Sequence, residues 1–291
     1  MTLHRSALPV WLPAWLALLA AALLQACATP GPAPRSRELV ASGDVQIEVI
    51  VEGTGPAIVL LPSSRRGSED FDDVAARIAA QGFRVLRPQP RGMGRSTGPL
   101  DKLTLTALAQ DVALSVDRLG AGRAVIVGHA YGHFVARVAD LQHPRLVRGV
   151  VVAGAGARVF PPGLVESLEI IVDTRRPDAE RLAHLKTAFF APGNDASVWL
   201  TGWHPELTGP YRAAVATPQR EAWFPVTHSP ILDLQGAVDP WRPRSTSNEL
   251  KDLLGDKVTV QLIANASHAL LPEQPAAVAD AIVAWVRTLP P

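Results

Sequence analysis

The stretch AVIVGHAYGHFVARVADL, residues 124–141, decides the fold, because it joins a buried strand to a helix through a tight turn. Its first four residues are small or β-branched and apolar, as expected of a strand that is covered on both faces. After the turn the apolar residues recur with the period of a helix. Gly128 and Gly132 flank the turn, where the backbone has no room for side chains. The stretch therefore predicts a strand, turn and helix unit that presents the side chain of Ala130 above a sheet.

Strands and helices alternate on both sides of this unit. The predicted strands span Val45–Val51, Ala57–Leu61, Phe83–Leu86, Ala124–Val127, Val147–Val152, Ile231–Leu234 and Val258–Ile263. The predicted helices span Phe71–Ala80, Leu103–Leu119, Tyr131–Leu141, Asn248–Leu254 and Ala276–Val286. This alternation predicts an α/β domain with a mostly parallel, twisted sheet and helices on both faces.

The alternation stops between Val159 and Phe224, where several helical stretches follow one another without a strand. Aromatic residues and a histidine are spread through this segment: Trp199, Trp203, His204, Tyr211 and Trp223. The segment, about 159–224, is either a helical lid over a ligand pocket or a peripheral layer whose aromatic residues fill its own small core. We favour the lid, because ligands of such sheets bind at the carboxyl ends of the strands.

Three motifs occur in an informative order along the chain. The turn residues Gly128, His129 and Gly132 fit the GxSxG pattern of a nucleophile elbow, but Ala130 occupies the position of the serine. Farther on, LQGAVDP places Asp239 in a loop after a strand, and ANASHALLPEQP places His268 after the last strand. With the loop LRPQPRGMGRS, this order resembles the esterase-like and lipase-like members of the α/β-hydrolase superfamily.

The resemblance covers nearly all of the mature chain and implies the α/β-hydrolase fold. It implies that Asp239 is the triad acid, that His268 is the triad base and that Ala130 holds the nucleophile position. The oxyanion donors would be the backbone amides of Tyr131 and Ser64. The sequence departs from the family at LLPSSRRG, where these hydrolases usually carry His and Gly and this chain carries Pro62 and Ser63.

Three functional hypotheses follow from the alanine, because a methyl group cannot attack a carbonyl carbon. In the first, Asp239 and His268 still perform proton chemistry on water or on the substrate, as in a hydrolase, lyase or isomerase. In the second, the protein binds a ligand without catalysis. In the third, Ala130 is an introduced Ser→Ala change in a serine esterase. We favour the first, since both members of the catalytic dyad, Asp239 and His268, are present. We expect a small, mainly apolar ligand with an ester or carbonyl group.

A metal or organic cofactor is not implied by the sequence. His129 and His133 stand four residues apart, a spacing that binds metal when both rings lie on one helix. We expect their rings to diverge instead, because His129 belongs to the turn and His133 to the helix, and we expect His129 to pack against the sheet. The GxG of Gly92 and Gly94 lacks the strand and helix context of a nucleotide site.

Other polar residues near these motifs have alternative roles. Ser63 and Ser64 offer hydroxyl groups, but from a loop and not from the elbow. Arg65 and Arg66 could bind a substrate carboxylate, although a solvated pair is the interpretation we favour. Asp233 is a rival acid, but it lies within a predicted strand and not after it, so Asp239 is preferred.

The N-terminal residues 1–26 are similar to a bacterial lipoprotein signal. An uncharged apolar run, Ala7–Leu24, is followed by Gln25, Ala26 and Cys27, which match a lipobox with Cys27 as the lipidated residue. The alternative is an uncleaved membrane anchor, which Pro9 and Pro13 disfavour. Both interpretations predict an exported protein attached to a bacterial membrane, on its periplasmic face or at the cell surface.

The amino-acid composition and the net charge indicate the domain limits and the class of partner. Residues 27–36 are rich in proline and small residues and predict an extended tether, so the globular domain is expected over 37–291. A net charge of +1 and a charged fraction of 19% disfavour nucleic acid as a partner. The hydrophobic fraction of 47% is enough for a sizeable core, and the single cysteine excludes an internal disulfide. A small-molecule ligand is the partner that this composition favours.

Overall fold

The described part of the chain forms one eight-stranded sheet. The structure is a computed structural model that describes residues 35–120 and 122–290. The strands are β1 (Arg35–Ser42), β2 (Val45–Glu52), β3 (Ala57–Leu61), β4 (Arg84–Pro88), β5 (Ala124–His129), β6 (Val147–Ala153), β7 (Ile231–Gly236) and β8 (Val258–Ile263). Their order across the sheet is β1-β2-β4-β3-β5-β6-β7-β8. The pairs β1/β2 and β2/β4 are antiparallel and the other five are parallel. The prediction of a mostly parallel sheet is confirmed.

The central strands are covered on both faces. In β3 every residue is buried. Ile58 and Leu60 belong to one apolar cluster, and Val59 and Leu61 to another, because successive side chains of a strand point to opposite faces. These two clusters form the core on either side of the sheet.

Helices supply the outer half of each cluster. On one face lie α1 (Asp72–Ala80) and, near the C-terminus, a long apolar helix, Pro275–Val286. On the other face lie α2 (Leu105–Leu119) and α3 (Gly132–Gln142). The start of α2 is fixed by Thr104, whose side-chain oxygen accepts a hydrogen bond from the amide of Ala107 at 3.0 Å.

A helical insertion separates β6 from β7. It contains α4 (Leu164–Val172), α5 (Asp178–Ala188), α6 (Thr208–Ala214) and α7 (Arg220–Trp223). After β7 come α8 (Glu249–Leu254), α9 (Leu270–Glu273) and the C-terminal helix Pro275–Val286, which is α10. The predicted segment of about 159–224 lies within this region, between the end of β6 at Ala153 and the start of β7 at Ile231.

The N-terminal part of the domain differs from the sequence-based prediction. Strand β1 was not predicted, because only Val40 of its eight residues is buried and no apolar alternation marks it. Since β1 begins at Arg35, the predicted tether 27–36 overlaps the domain by two residues. The predicted signal segment 1–26 and Cys27 lie outside the described residues. Within the described ranges, no helix combines the length and the apolar character that a bilayer span requires.

Candidate active site

The turn after β5 has the backbone of a strained elbow. Ala130 has a φ of 45°, in the left-handed region that side chains rarely occupy. Its amide donates a hydrogen bond to the carbonyl of Ala153 at 2.9 Å, which ties the turn to the end of β6. Helix α3 begins two residues later, at Gly132. Ala130 therefore stands at the carboxyl edge of the sheet.

The two glycines of the turn are required by close backbone contacts. A Cβ on Gly128 would overlap the backbone of Gly132 and His133. A Cβ on Gly132 would overlap the carbonyl oxygens of Leu61 and Pro62, at the end of β3. The elbow, the first turn of α3 and the end of β3 are thus packed too closely for any side chain at these positions.

The predicted acid and base meet in the structure. Nδ1 of His268 lies 3.0 Å from Oδ2 of Asp239, and the side chain of Asp239 is fully buried. The other oxygen, Oδ1, accepts a hydrogen bond from the amide of Trp241 at 2.8 Å. Asp239 follows β7 and His268 follows β8, so both loops leave the same edge of the sheet as the elbow.

Aromatic rings hold the imidazole of His268 in place. The ring centroids of Trp241 and Phe189 each lie 5.3 Å from that of His268. Nε2 of His129 lies 2.9 Å from the carbonyl oxygen of His268. Because a carbonyl only accepts, this nitrogen carries the hydrogen, and His129 anchors the backbone of the histidine loop. Burial lowers the pKa of His129 to about 3, helped by the nearby His268.

A cavity of about 550 Å³ opens above these residues. Ala130, His268, Tyr131 and Ser64 all line it, so the candidate base and the two candidate oxyanion residues share one space. Most other lining residues are apolar, and the insertion contributes several of them: Phe160, Val165, Leu168, Phe189, Tyr211 and Val215. The insertion therefore forms a wall of the cavity, and its action as a moving lid stays a prediction.

The structure separates the roles of the two elbow histidines. Nδ1 of His133 lies 2.5 Å from the carbonyl oxygen of Ala130, whereas His129 bonds to His268. Burial lowers the pKa of His133 to about 3, so the ring is neutral near neutral pH. Across residues 35–120 and 122–290, no group of three or more His, Cys, Asp or Glu side chains could hold a metal ion.

The expectation of a solvated arginine pair is wrong. Arg65 and Arg66 are only 4% and 3% exposed. The guanidinium of Arg66 lies 4.7 and 4.6 Å from the rings of Trp199 and Trp203, and it pairs with Asp70. The two arginines have different environments, because Arg65 lines the cavity and Arg66 fastens the insertion to the loop after β3.

The rival acid does not reach the histidine. Asp233 lies in β7 and accepts hydrogen bonds from Arg242 and Gln235, each at 2.9 Å. Burial raises the pKa of Asp233 to about 6, in spite of the adjacent Arg242. Asp239 is the carboxylate that the structure brings to His268.

Most residues that line the cavity were assigned no role there from the sequence, and three of these carry polar atoms next to the site. His133 and Trp241 line the cavity, and Glu169 of the insertion pairs there with Arg65. Trp241 comes two residues after Asp239, and this short spacing was the one available signal. The pair between Arg65 and Glu169 joins residues 104 positions apart, so no local pattern could reveal it.

The comparisons with known proteins agree with this architecture. A model of the alpha/beta hydrolase family matches residues 58–281, and the chain belongs to that family. An epoxide hydrolase of Caballeronia sordidicola is 26% identical over 69% of this chain, and the match spans 60% of that relative. RutD of Caulobacter vibrioides, which is named for carbamate hydrolysis, is 26% identical over 80% of this chain and 91% of its own length.

Several matched relatives are much longer than the matched region. The match spans only 20% of the bifunctional epoxide hydrolase 2 of Sus scrofa. Among solved structures, an esterase from Exiguobacterium antarcticum has a TM-score of 0.71 at 20% identity, covering 87% of this chain and all of its own. The carboxylesterase CesB of Bacillus subtilis has a TM-score of 0.70 at 17% identity, covering 93% of this chain and 97% of its own. These structures support the fold, and the named sequence relatives are hydrolases.

Proposed function

We propose that this protein is an enzyme of the hydrolase class in which His268, oriented by Asp239, acts as a general base without an acyl-enzyme at Ala130. Its ligand is a small, mainly apolar molecule with an ester or carbonyl group. The base acts on water in a hydrolysis, or on the substrate itself in an elimination or isomerisation. The epoxide hydrolase and RutD are named for reactions that consume water, which favours hydrolysis.

The hydrogen bond between Asp239 and His268 carries this proposal. An ionised carboxylate only accepts hydrogen bonds, so Nδ1 of His268 holds the hydrogen and Nε2 keeps its lone pair. Because His268 and Ala130 line the same cavity, that lone pair belongs to a base that shares the space above the elbow. General-base catalysis of this kind typically contributes about 10² to 10⁴ in rate.

The missing hydroxyl group at position 130 is the reason to propose a route without a covalent intermediate. In a serine protease, removal of the triad serine lowers kcat by about 10⁶. An enzyme that kept the same substrate and the same mechanism with Ala130 would be too slow to be useful. The smaller side chain instead leaves space in which a water molecule can stand between His268 and a bound carbonyl carbon.

The hydrolytic reaction balances with these groups alone. Nε2 of His268 takes one proton from water while the water oxygen bonds to the carbonyl carbon. The carbonyl oxygen becomes an oxyanion, and the amides of Tyr131 and Ser64 stabilise it. When the tetrahedral intermediate collapses, the leaving oxygen takes the proton from His268. The products are an acid and an alcohol, and His268 is neutral again.

A second candidate function is ligand binding without turnover. Ala130 favours binding without turnover, because the protein has a ligand-sized cavity but no nucleophile at the elbow. The pair of Asp239 and His268 would then be a buried hydrogen-bonded pair that serves stability alone. Mass spectrometry of a ligand after incubation separates the two candidates, because only the enzyme changes the ligand chemically.

The location of the protein is part of the proposal. A lipid anchor at Cys27 would hold the domain at the surface of a bacterial membrane, after removal of residues 1–26. Its partner would then be a small molecule that reaches the cell envelope. Metabolic labelling with a fatty acid, compared between the natural chain and Cys27→Ala, tests the anchor, and equal labelling of both chains would contradict it.

Steady-state hydrolysis of 4-nitrophenyl acetate and butyrate tests the role of the dyad. We expect kcat/KM to fall by at least about 100-fold in His268→Ala. We also expect a clear loss in Asp239→Asn, because the tautomer of the histidine is no longer fixed. His204→Ala is the matched control, since His204 lies in the insertion and pairs with Glu206. Equal rates for the unmodified protein and His268→Ala would refute the proposal.

A further inference from the structure

The cavity has one cationic wall. Arg65 follows the candidate oxyanion residue Ser64 and has a φ of 63°, a left-handed conformation that is unusual for arginine. Its side chain is 5% exposed and lines the same cavity as Ala130 and His268. A buried arginine is uncommon unless a partner compensates its charge.

The partners of Arg65 use only part of its guanidinium. The three hydrogen bonds that it donates all come from Nη1, two to the carboxylate of Glu169 and one to Oγ1 of Thr208. Nε is buried and has no hydrogen-bond partner among the described residues. A buried donor without a partner costs free energy, so this edge of the guanidinium favours an additional acceptor.

The charges around Arg65 do not balance. Glu169 is shared, because its Oε1 also accepts a hydrogen bond from Arg212 at 2.9 Å. Two arginines therefore face one carboxylate, and this cluster keeps one positive charge. The side chains of Glu169 and Arg212 are 42% and 66% exposed, so solvent screens their pair, whereas Arg65 is buried. Burial lowers the pKa of Arg65, which reflects the same incomplete compensation.

The rest of the cavity is mainly apolar. Phe134, Phe160, Leu168 and Val215 lie on its walls, and Arg65, Arg212 and Glu169 are its charged lining residues. A ligand that fits both parts has an apolar body and one negatively charged group. A single unbalanced charge matches a monoanion better than a dianion.

We infer that Arg65 forms a carboxylate subsite and that the ligand of this cavity is an amphipathic monocarboxylate. The inference rests on the proposed function, because it names the substrate class of the same cavity. A carboxylate has two oxygens in a plane and matches the planar fork of a guanidinium, which a neutral ester or amide does not. The subsite would hold the acid group while the ester or carbonyl group lies near Ala130.

Isothermal titration with a matched pair of probes tests the subsite. The probes are 4-phenylbutyrate and its neutral amide, 4-phenylbutyramide, titrated into the purified full chain near neutral pH. We expect the carboxylate to bind at least about tenfold more tightly than the amide, which is the size of one good charge-assisted hydrogen bond. Equal affinity for the two probes would overturn the inference.

Two substitutions assign the preference to Arg65. In Arg65→Met the ratio of the two dissociation constants should fall to about one. In Glu169→Gln the carboxylate should bind more tightly than in the unmodified protein, because the competing acceptor of Nη1 has lost its charge. A preference that survives Arg65→Met overturns the inference. If Arg65→Met does not fold, Glu169→Gln alone decides: carboxylate binding that is weaker than or equal to that of the unmodified protein overturns the inference.

Control variants separate this inference from the proposed function. Arg175→Gln removes an arginine of the insertion whose side chain is 89% exposed and which does not line the cavity, so the preference should stay unchanged. His268→Ala should lose turnover and keep the carboxylate preference. Turnover that depends on His268 without any carboxylate preference would overturn the subsite and leave the proposed function standing. If the unmodified protein prefers the carboxylate but turns over no substrate, the subsite is supported and the proposed enzymatic function is contradicted.

Discussion

Ala130 combines a strained backbone with a side chain that has no polar atom. At a φ of 45° it occupies the conformation that an elbow imposes on its central residue. A left-handed conformation costs an alanine roughly 1 to 2 kcal/mol, which the surrounding packing must offset. The strain therefore persists without a hydroxyl group, together with the dyad and the cavity.

Ala130→Ser is expected to introduce a working nucleophile. The new Oγ would project into the space that His268 also lines, so the dyad could remove its proton. We expect a burst of 4-nitrophenolate about equal to the enzyme concentration, followed by steady turnover. Ala191→Ser, a substitution in the insertion outside the cavity, is the control. A folded Ala130→Ser variant without a burst would mean that His268 is not positioned to accept the proton of the new hydroxyl group.

At the scale of elements, the close contact between β3, β5 and α3 positions the site. The contact exists because Gly128 and Gly132 have no side chains. The carbonyl oxygens at the end of β3 lie closer to the Cβ position of Gly132 than van der Waals contact allows. Any widening of this contact would move the elbow away from the loop that carries Ser64.

Gly132→Ala is expected to lower the free energy of unfolding by about 1 to 3 kcal/mol, the usual range for overpacking. Gly209→Ala is the control, because Gly209 lies in helix α6 and, apart from its chain neighbours and the backbone of its own helix, no atom lies within 4 Å of its Cβ position. That change should be neutral or stabilising by up to about 1 kcal/mol, since alanine favours a helix. Urea unfolding measures both, and equal stability of the two variants would contradict the assigned contact.

The sequence predicts those elements whose own residues carry the signal. Strand β3 is a continuous apolar run and was predicted with its observed bounds. Strand β1 was missed because it is an exposed edge strand, held by pairing with β2 and not by burial. The dyad could be predicted from motif order, whereas the burial of Arg65 and Arg66 depends on distant residues of the insertion. Contacts of that kind exist only after folding.

At the scale of the whole molecule, folding buries neutral histidines beside the site. His133 is 5% exposed, and burial lowers its pKa to about 3 from an ordinary 6.5. Between those two values the unfolded chain holds a proton on this residue and the folded chain does not. Falling pH therefore favours the unfolded state, and the stabilising contribution is lost progressively from about pH 6.5 downward.

His133→Gln is expected to reduce this acid sensitivity. Glutamine has no charge and keeps an N–H that can bond to the carbonyl of Ala130. Between about pH 6 and pH 4, the free energy of unfolding of the unmodified protein should fall by about 1 kcal/mol per pH unit more than that of the variant. Urea unfolding at several pH values measures the difference. Parallel pH profiles for the two proteins would show that His133 is not the buried neutral group described here.

The central claim is that the dyad of His268 and Asp239 activates water with no covalent intermediate on Ala130. Stopped-flow release of 4-nitrophenolate from 4-nitrophenyl butyrate by the unmodified protein, run beside His268→Ala, tests it most directly. We expect linear release from the start of the reaction, without a burst, and we expect His268→Ala to abolish it. A burst about equal to the enzyme concentration, or a rate that His268→Ala leaves unchanged, would contradict it.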